Sequence, residues 1–448
     1  MTTLYSARWV LPVSSTPIID GAIAVEGSVI TGVDSRAELA LRFPEAELKT
    51  FGAAALVPGF INAHSHLELT AMRGLLDSEE SDFFSWLKKL TVARLRMTPD
   101  DLHVAATWGA CEALKAGVTC VADASDSAAT TIQALRETGL RGTVYQESFG
   151  PDPKLARENF SRLREKVLGL QALQTSLVRL GVSPHAPYSV SAPQLELIAD
   201  FALAENLPLM MHAAESVAEG MLLREGTGSF AEGLAMRGIE WAAPSLSTIS
   251  YLARHGILRT KPLLAHCINV DKNDLDLIGE TGAAIAHCPK SNAKFGHGRA
   301  PFAEFVSRDL PIGLGSDSVA SNNSCDLLEE ARFAVLMARI GTEEGRVDAG
   351  QALRVATLGG ARALGLEGLV GELREGCQAD FAVISLDGTH QQPVYDPIGT
   401  LIFSSSGHDV VLTVVAGKEL YSGGQLSGID EERLRARINE IVLKLRQP

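Results

Sequence analysis

The stretch PGFINAHSHLEL, residues 58–69, joins a short apolar segment to the pair His64 and His66. Side chains alternate between the two faces of an extended strand, so two histidines separated by one residue point to the same side. Two imidazoles on one side of a strand can bind the same cation. An HxH pair alone is equally consistent with hydrogen-bonded structural histidines. Other features of the sequence are needed to distinguish these two interpretations.

Seven further apolar runs follow, and amphipathic helical patterns such as AATTIQALRETG (128–139) lie between them. The eight runs are LVPGFINAHSH (56–66), GVTCVADAS (117–125), RGTVYQESFG (141–150), LVRLGVSPHAP (177–187), LPLMMHAAES (207–216), PLLAHCINV (262–270), AAIAHCPKSN (283–292) and LPIGLGSDS (310–318). This alternation predicts βαβ units and a parallel sheet. We therefore predict an α/β fold, a (β/α)8 TIM barrel. The competing doubly wound open sheet lacks its usual nucleotide signature, because no GxGxxG opens a helix after the first strand.

Polar residues lie toward the ends of these runs. They are His64, His66, Glu147, His185, His212, His266, His287 and Asp317. The carboxyl ends of parallel barrel strands converge on one face, where active sites are built, whereas scattered core histidines would show no such preference. Three imidazoles and one carboxylate among them form a ligand set for a borderline ion such as zinc, with a position left for water. These four residues are His64, His66, His212 and Asp317.

The composition narrows the class of protein. The chain has 448 residues and a formal net charge of −14, from 40 Lys and Arg against 54 Asp and Glu. With 46% hydrophobic and 21% charged residues, it is not a disordered chain. The negative charge disfavours nucleic acid or an anionic membrane as a partner. The six cysteines form no CxxC pair, and there is neither a signal peptide nor an apolar stretch of about 18 residues, so we expect a cytoplasmic protein.

Several motifs together resemble the amidohydrolase superfamily. They are PGFINAHSHLEL, MMHAAES (210–216), LLAHCINV (263–270), HCPKSN (287–292) and GLGSDSVASNNS (313–324). The chain is most similar to the mononuclear deaminase branch, which includes adenosine-type, S-adenosylhomocysteine, guanine and cytosine deaminases and the triazine chlorohydrolases. The segment GELREGCQADFAVIS (371–385) is similar to the family's return into its small β domain. The resemblance implies a metal-dependent hydrolase with a small-molecule substrate.

The resemblance also implies a domain arrangement. Strand-like patterns at the two chain ends form one small β-sandwich domain, from residues 1–57 and from residues 369–448, the latter including a terminal helix. Residues 58–368 form the TIM-barrel hydrolase domain. The family further suggests a homo-oligomer, a dimer or a tetramer.

Residue roles follow from the same motifs. His64 and His66 match the ligands of the first strand, His212 that of the fifth, and Asp317 the carboxylate of the eighth. Glu215 matches the acid/base three residues after the fifth-strand histidine, and His266 the histidine that touches the attacking water or substrate. The proposed catalytic residues are therefore Glu215, His266 and Asp317. Binuclear relatives such as dihydroorotases carry a metal-bridging carbamylated lysine at the end of the fourth run, and this chain has no lysine there. The resemblance therefore implies one divalent metal, zinc or alternatively iron(II).

The presence of Glu215 favours loss of ammonia from an aminated heteroaromatic ring over hydrolysis of a carbon–chlorine bond, which needs less protonation of the leaving group. Guanine and cytosine deaminases usually carry a Gln shortly after the HxH pair, where this chain has Glu68 and Leu69. Similarity to adenosine-type deaminases favours an adenine-bearing nucleoside such as a 5′-modified adenosine or aminodeoxyfutalosine. An s-triazine hydrolase, a guanine- or cytosine-type base deaminase and a non-catalytic scaffold are the alternatives.

The substrate-binding candidates are Glu68, Trp86, Glu147, His185 and Ser318. Adenosine-type relatives tend to carry an acidic residue for the sugar hydroxyls in the helix after the first motif, and FFSWLKKLTVARLR (83–96) has none. Glu68 and Glu147 are the acidic candidates at the barrel mouth instead. Each also has a structural interpretation, in which Glu68 pairs with Arg73 and Glu147 accepts hydrogen bonds from backbone amides.

Overall fold

The computed structural model describes residues 1–340 and 346–446 and has mixed α/β structure. Residues 341–345 of the predicted barrel segment and residues 447–448 of the predicted C-terminal segment lie outside this range. The strands are β1 (Thr2–Val10), β2 (Ile18–Glu26), β3 (Val29–Ser35), β4 (Glu47–Thr50), β5 (Ala54–Pro58), β6 (Phe60–Ser65), β7 (Val118–Ser125), β8 (Arg141–Ser148), β9 (Val178–Pro184), β10 (Met210–Ala213), β11 (Leu263–His266), β12 (Ala284–His287), β13 (Ile312–Leu314), β14 (Phe381–Ser385), β15 (Val410–Val415), β16 (Lys418–Ser422) and β17 (Gln425–Leu426).

The eight strands β6–β13 are parallel, and each lies within one of the eight apolar runs of the sequence. They form two four-stranded sheets, ordered β6-β7-β8-β9 and β10-β11-β12-β13. Single parallel bridges connect the two sheets, from Val182 to Leu209 at one edge and from Ser65 to Asp317 at the other. Nearly every residue of these strands is buried, which explains their continuous apolar character, because parallel strands are covered on both faces.

The remaining strands come from the two ends of the chain and form one nine-stranded sheet. Its order is β17-β16-β15-β14-β5-β1-β2-β3, and β4 pairs with β1. β5 and β14 are antiparallel neighbours, and they join the N-terminal strands to the C-terminal ones. The guanidinium of Arg141, at the start of β8, binds the carboxylate of Asp380 at 2.7 and 3.0 Å, and both side chains are buried. This ion pair links the nine-stranded sheet to the parallel strands.

Helices lie between the strands and after them. They are α1 (Arg36–Arg42), α2 (Phe83–Leu95), α3 (Pro99–Lys115), α4 (Ala128–Thr138), α5 (Ala156–Leu170), α6 (Ala192–Ala204), α7 (Val217–Glu225), α8 (Ser229–Met236), α9 (Thr248–Arg254), α10 (Lys272–Thr281), α11 (Pro289–Lys294), α12 (Phe302–Ser307), α13 (Val319–Asn322), α14 (Leu327–Arg339), α15 (Ala349–Arg354), α16 (Gly360–Ala363), α17 (Pro397–Ser404) and α18 (Glu431–Leu445). Capping residues fix several starts: the Ser216 hydroxyl accepts from the Glu219 amide, so α7 begins two residues after Glu215.

The apolar core has two main parts beside the parallel strands. Side chains on one face of the strands pack against the surrounding helices, as Val121 and Val144 do with Leu135 of α4. Side chains on the opposite face form a separate cluster, with members from both four-stranded sheets, such as Ile61 and Met210. The six cysteines are buried and free of disulfides. Within the described residues, no helix is long and apolar enough to cross a membrane.

Candidate metal centre and active site

Four predicted metal ligands converge where β6, β10 and β13 end. His64, His66, His212 and Asp317 each offer one ligand atom, and these atoms all lie within 4.8 Å of one another. Asp317 Oδ1 lies 3.4 Å from His64 Nε2 and 3.6 Å from His66 Nε2. The bridge between Ser65 and Asp317 brings the first and last parallel strands together at this point. His64 and Asp317 therefore share one site because of the strand topology, although they are 253 positions apart in the chain.

Neighbouring groups orient the imidazoles. His212 Nδ1 donates to the carbonyl of His185 at 2.9 Å, so Nε2 carries the free lone pair that faces the other ligands. His64 Nδ1 lies 3.2 Å from the sulfur of Met210, and its buried Nε2 has no hydrogen-bond partner in the described part of the chain. Burial lowers the pKa of His64 to about 4, which keeps the ring in the neutral form that binds metals.

Asp317 is held by two hydroxyl groups. Ser291 and Ser321 donate to its Oδ2 at 2.6 and 3.0 Å, and this leaves Oδ1 directed at the histidines. Burial opposes ionisation, but the neighbouring imidazoles of His64, His66 and His266 hold the pKa of Asp317 well below its ordinary value. Three neutral imidazoles, one carboxylate and an unpartnered buried nitrogen suit a divalent metal. The residues present therefore fit the predicted metal.

Glu215 and His266 lie beside this quartet. Glu215 Oε1 is 3.7 Å from His266 Nε2, and both side chains are buried. Burial raises the pKa of Glu215 to about 7, so that its carboxyl can gain or lose a proton near neutral pH. His266 Nδ1 donates to Asn292 Oδ1 at 2.9 Å, which turns Nε2 toward Glu215. Burial opposes protonation of His266, but the nearby carboxylates of Glu215 and Asp317 raise its pKa.

The backbone that carries Glu215 is fixed by Glu219. The Glu219 carboxylate accepts from the amides of Ala214 and Glu215 at 2.8 and 3.3 Å, and from the hydroxyl of Thr248 at 2.7 Å. Ala214 has a positive φ of 52°, a conformation that such hydrogen bonds must stabilise. Glu219 therefore holds the turn between β10 and α7 that presents Glu215.

A cavity of about 830 Å³ opens from these residues. All the predicted site residues except His64 line it. Its other walls are largely apolar and include five phenylalanines, which are Phe83, Phe84, Phe149, Phe230 and Phe295. Trp86 is buried and its ring packs between those of Phe83 and Phe295, 6.2 and 4.8 Å away between centroids. The cavity thus combines a polar end with apolar walls that are rich in phenylalanine, as sites for planar organic ligands do.

The suggested pairing of Glu68 with Arg73 is wrong. Arg73 pairs with Glu112, whereas Glu68 accepts from Arg94 Nε at 2.9 Å. The hydroxyl of Ser125 and the amides of Asp126 and Ser127 donate to the remaining positions of the Glu68 carboxylate. Glu68 lines the cavity, but its carboxylate is occupied by protein donors.

The other predicted residues differ in their surroundings. Glu147 and His185 form, with His212, a second group whose ligand atoms lie within 4.8 Å of one another. The Ser318 hydroxyl accepts from the amide of Ala320 and caps α13 at the cavity wall. His287 stacks on Phe302, and it is not among the residues that line the cavity.

Sequence reasoning missed the residues that position the site. These are Arg94, Glu219, Ser291, Asn292 and Ser321. The motifs HCPKSN and GLGSDSVASNNS contain Ser291, Asn292 and Ser321, so only these three lay in stretches already linked to the site, four or five residues after a strand-end residue of the site. Arg94 and Glu219 lie within helices, where charged residues are ordinary.

Comparison with known proteins adds three findings. Residues 55–420 match the amidohydrolase family. A 5-methylthioadenosine/S-adenosylhomocysteine deaminase of Pelotomaculum thermopropionicum is 31% identical over 432 residues, which cover 95% of this chain and 94% of that protein. The crystal structure of an adenosine deaminase from Xanthomonas campestris with bound zinc superimposes with a TM-score of 0.88 at 27% identity, covering 99% of this chain and 98% of that one.

A further structure has the same fold at lower identity. The atrazine chlorohydrolase of Arthrobacter aurescens complexed with zinc has a TM-score of 0.85 and 24% identity, covering 98% of this chain and all of that one. At this identity the similarity concerns the fold alone. The match of residues 55–420 and the 31% identical relative confirm, at the level of the family, the resemblance found in the sequence motifs.

Proposed function

The chain belongs to the amidohydrolase family, and we propose that it is a zinc-dependent deaminase that releases ammonia from the adenine ring of a nucleoside. It is a hydrolase of carbon–nitrogen bonds, as its family and its deaminase relatives indicate. The proposal assigns His64, His66, His212 and Asp317 as metal ligands. Glu215 and His266 are assigned as the groups that handle protons, with Asp317 assisting them.

One observation supports this function above all. The Glu215 carboxyl, with a pKa of about 7, lies 3.7 Å from His266 Nε2 at the edge of the four-ligand cluster. Deamination of a heteroaromatic ring requires one proton on a ring nitrogen and another on the departing amine. A buried carboxyl that titrates near neutrality can accept a proton and then donate it. Hydrolysis of a carbon–chlorine bond needs less protonation of the leaving group, so it depends less on such a carboxyl.

The ligand quartet would hold the metal, which when bound lowers the pKa of water to about 7 and so supplies hydroxide at neutral pH. Glu215 holds a proton at its carboxyl and can transfer it to a ring nitrogen of the substrate. His266 keeps Nε2 directed at the reacting atoms, because Nδ1 is bound to Asn292. The apolar walls bury the heterocycle and exclude bulk water.

The substrate class rests on several observations. The 31% identical relative is a deaminase of 5-methylthioadenosine and S-adenosylhomocysteine, and the 27% identical structure is an adenosine deaminase. A cavity of about 830 Å³ can hold a nucleoside with a substituent at its 5′ position. Such substrates include methylthioadenosine and aminodeoxyfutalosine. The triazine enzyme shares the fold at 24% identity, and that does not favour its substrate here.

We also propose the finer architecture. Bridges at both edges of the two parallel sheets, and the apolar cluster that both sheets share, support a closed (β/α)8 barrel over residues 58–368. The Tyr5 hydroxyl of β1 donates to Glu419 of β16 at 2.9 Å, although three other strands separate β1 from β16 in the sheet order. This contact supports a sheet that folds over on itself as a β-sandwich, built from residues 1–57 and 369–448.

A coupled ammonia assay tests the proposed activity. The panel contains adenosine, methylthioadenosine, S-adenosylhomocysteine, aminodeoxyfutalosine, guanine, cytosine and atrazine, and metal content is measured on the same sample. We expect ammonia release from adenine nucleosides only, with one equivalent of zinc per chain. Chloride release from atrazine, or deamination restricted to the free bases, would contradict the proposal. Less than about half an equivalent of metal, with no turnover, would favour a non-catalytic scaffold.

A further inference from the structure

Asn62 lies on β6, two residues before His64, and its side chain is fully buried. Its Oδ1 accepts from the backbone amides of His64 and Ser316 at 3.3 and 3.0 Å. Its Nδ2 donates to the hydroxyl of Ser316 at 2.8 Å and to the sulfur of Cys325 at 3.5 Å. A carboxamide has two donors and two main acceptor directions, so this side chain is fully paired within the protein. It does not line the cavity.

The bonds of Asn62 lie where β6 meets β13. These two strands belong to different sheets, and within the described residues one bridge, from Ser65 to Asp317, connects them. The pairing of β6 with β7 is also irregular here, because its register shifts between Asn62 and Ser65. A regular strand ladder therefore does not hold His64 against the segment that carries Asp317. The side chain of Asn62 supplies two hydrogen bonds across this junction instead.

Gly315 shows how closely the two segments approach. A Cβ atom at this position would lie 2.8 Å from Cβ of His64 and 3.0 Å from its amide nitrogen, closer than such atoms can pack. The amide of Asp317 donates to the carbonyl of His64 at 2.9 Å. His64 Nε2 and Asp317 Oδ1, 3.4 Å apart, are therefore carried by two segments in direct contact. A shift of either segment changes the distance between these two ligand atoms.

We infer that Asn62 is a positioning residue that sets the placement of His64 relative to Asp317 and thereby the affinity of the site for zinc. The inference rests on the proposed function, which assigns these two residues as metal ligands. Asn62 is bonded to the backbone of both ligand segments, on the amide of His64 and on the residue before Asp317. Loss of a group that orients metal ligands typically lowers metal affinity or activity by 10–100-fold.

The zinc affinity of the full chain, measured by competition with a chelator, tests this role. Asn62→Ala should lower the affinity by about 10-fold or more. Asn62→Asp should rescue it to within about threefold of the wild type. The reason is that a neutral carboxyl group has the shape of the carboxamide and offers a carbonyl acceptor and an O–H donor.

Gln391→Ala is the matched control. Gln391 is a buried carboxamide whose Oε1 accepts from the amide of Gly388 at 2.9 Å. Its Nε2 donates to the carbonyl of Ser385 and the hydroxyl of Ser405, both at 2.8 Å. None of these partners belongs to the metal centre. Gln391→Ala should therefore lower the melting temperature, as Asn62→Ala does, but leave the zinc affinity within about twofold of the wild type.

The visible spectrum of the cobalt(II)-loaded protein gives a second readout, because the d–d bands of cobalt respond to the arrangement of its ligands. At saturating cobalt, Asn62→Ala should change these bands, whereas Gln391→Ala should reproduce the wild-type spectrum. Should Asn62→Ala fail to fold, Asn62→Ser, which retains a shorter hydroxyl group, takes its place and should lower the zinc affinity by a smaller factor.

Two results would overturn the inference alone: wild-type zinc affinity and cobalt spectrum in the Asn62 variant, or equal losses of affinity in Asn62→Ala and Gln391→Ala. A wild type that binds zinc but releases no ammonia from any nucleoside would overturn the proposed activity, while the metal measurements would still test Asn62. A wild type that binds no zinc would overturn the assigned ligands and this inference with them.

Discussion

The Nε2 atoms of His66 and His212 lie 3.3 Å apart, and the two ring planes are within 11° of parallel. His212 keeps its proton on Nδ1, because that atom donates to the carbonyl of His185. Its Nε2 therefore presents a lone pair to His66. Together with Asp317 Oδ1 and His64 Nε2, this places four electron-pair donors around one point. A cation is the partner that satisfies all of them at once.

Removing the metal should therefore destabilise the protein as well as inactivate it. A ligand that binds only the folded state at 100 times its dissociation constant adds about 2.7 kcal/mol of stability. We expect dialysis against a chelator to lower the melting temperature by several degrees and to abolish turnover, and zinc to restore both. His66→Asn should abolish this response, whereas His408→Asn, at an exposed position outside the site, should retain it. A melting temperature that does not respond to zinc would argue against the quartet.

Glu215→Gln should retain the metal and lose most turnover. The substitution keeps the size of the side chain but removes the titrating proton, and general acid–base catalysis typically contributes 10²–10⁴-fold. We expect kcat to fall by about 1,000-fold, with one equivalent of metal still bound by elemental analysis. Glu232→Gln, an exposed carboxylate on α8, serves as the control and should behave like the wild type. Near-normal kcat in Glu215→Gln would remove Glu215 from the mechanism.

Asn292 should act on catalysis through His266. Its Oδ1 accepts from His266 Nδ1 at 2.9 Å, which fixes both the ring orientation and the tautomer. Asn292→Ala should reduce kcat by about 10–100-fold with little change in metal content. Asn292→Asp keeps the acceptor, and its negative charge raises the pKa of His266, so it should recover part of kcat and shift the pH profile of kcat upward. Equal losses in both variants, with an unshifted profile, would indicate a purely structural role.

The strand ends explain why much of the site could be predicted. His64, His212, His266 and Asp317 each follow an apolar run, and the run ends meet on one face because the strands are parallel. Period-two alternation explains the pair His64 and His66. Both patterns depend only on positions within one strand, so they can be recognised in a single sequence.

The partners of these residues could not be predicted in the same way. Glu68 binds Arg94 rather than the nearer Arg73, because the turn of chain after His66 directs the two side chains to different neighbours. Asn292, in α11, accepts a hydrogen bond from His266 at the end of β11, 26 positions away in the chain. Such contacts depend on helix positions that leave no periodic pattern. The sequence therefore predicts which residues form the site better than it predicts the hydrogen bonds and ion pairs that position them.

The pKa of Glu215 makes the stability of the metal-free protein depend on pH. Burial raises this pKa from 4.5 to about 7, so the folded state binds the proton more tightly than the unfolded state. Below pH 4.5 both states are protonated; between pH 4.5 and 7 the unfolded state ionises first and stability falls. At about 1.4 kcal/mol per pKa unit, the loss approaches roughly 3 kcal/mol. Glu215→Gln should lack this component when urea unfolding of the chelated proteins is compared at pH 5 and pH 8. If the free energy of unfolding changed equally with pH in the wild type and in Glu215→Gln, this contribution of Glu215 would be contradicted.

The buried ion pair of Arg141 and Asp380 should make a large contribution to stability, because it connects the parallel strands to the nine-stranded sheet. The pair is bidentate, and Asp380 Oδ1 also accepts from the amide of Ala416 at 2.8 Å. Arg141→Met leaves this carboxylate buried without its counter-charge, and breaking a buried pair in this way costs about 3–5 kcal/mol. Removing both charges, in Arg141→Met with Asp380→Asn, should cost less than the single change, because no net charge is then left in the interior.

Arg8, whose ion pair with Asp20 is exposed, is the control: Arg8→Met should cost less than about 1 kcal/mol. Urea unfolding monitored by circular dichroism measures all four proteins. An Arg141→Met protein as stable as Arg8→Met would show that this ion pair does not hold the two parts of the chain together.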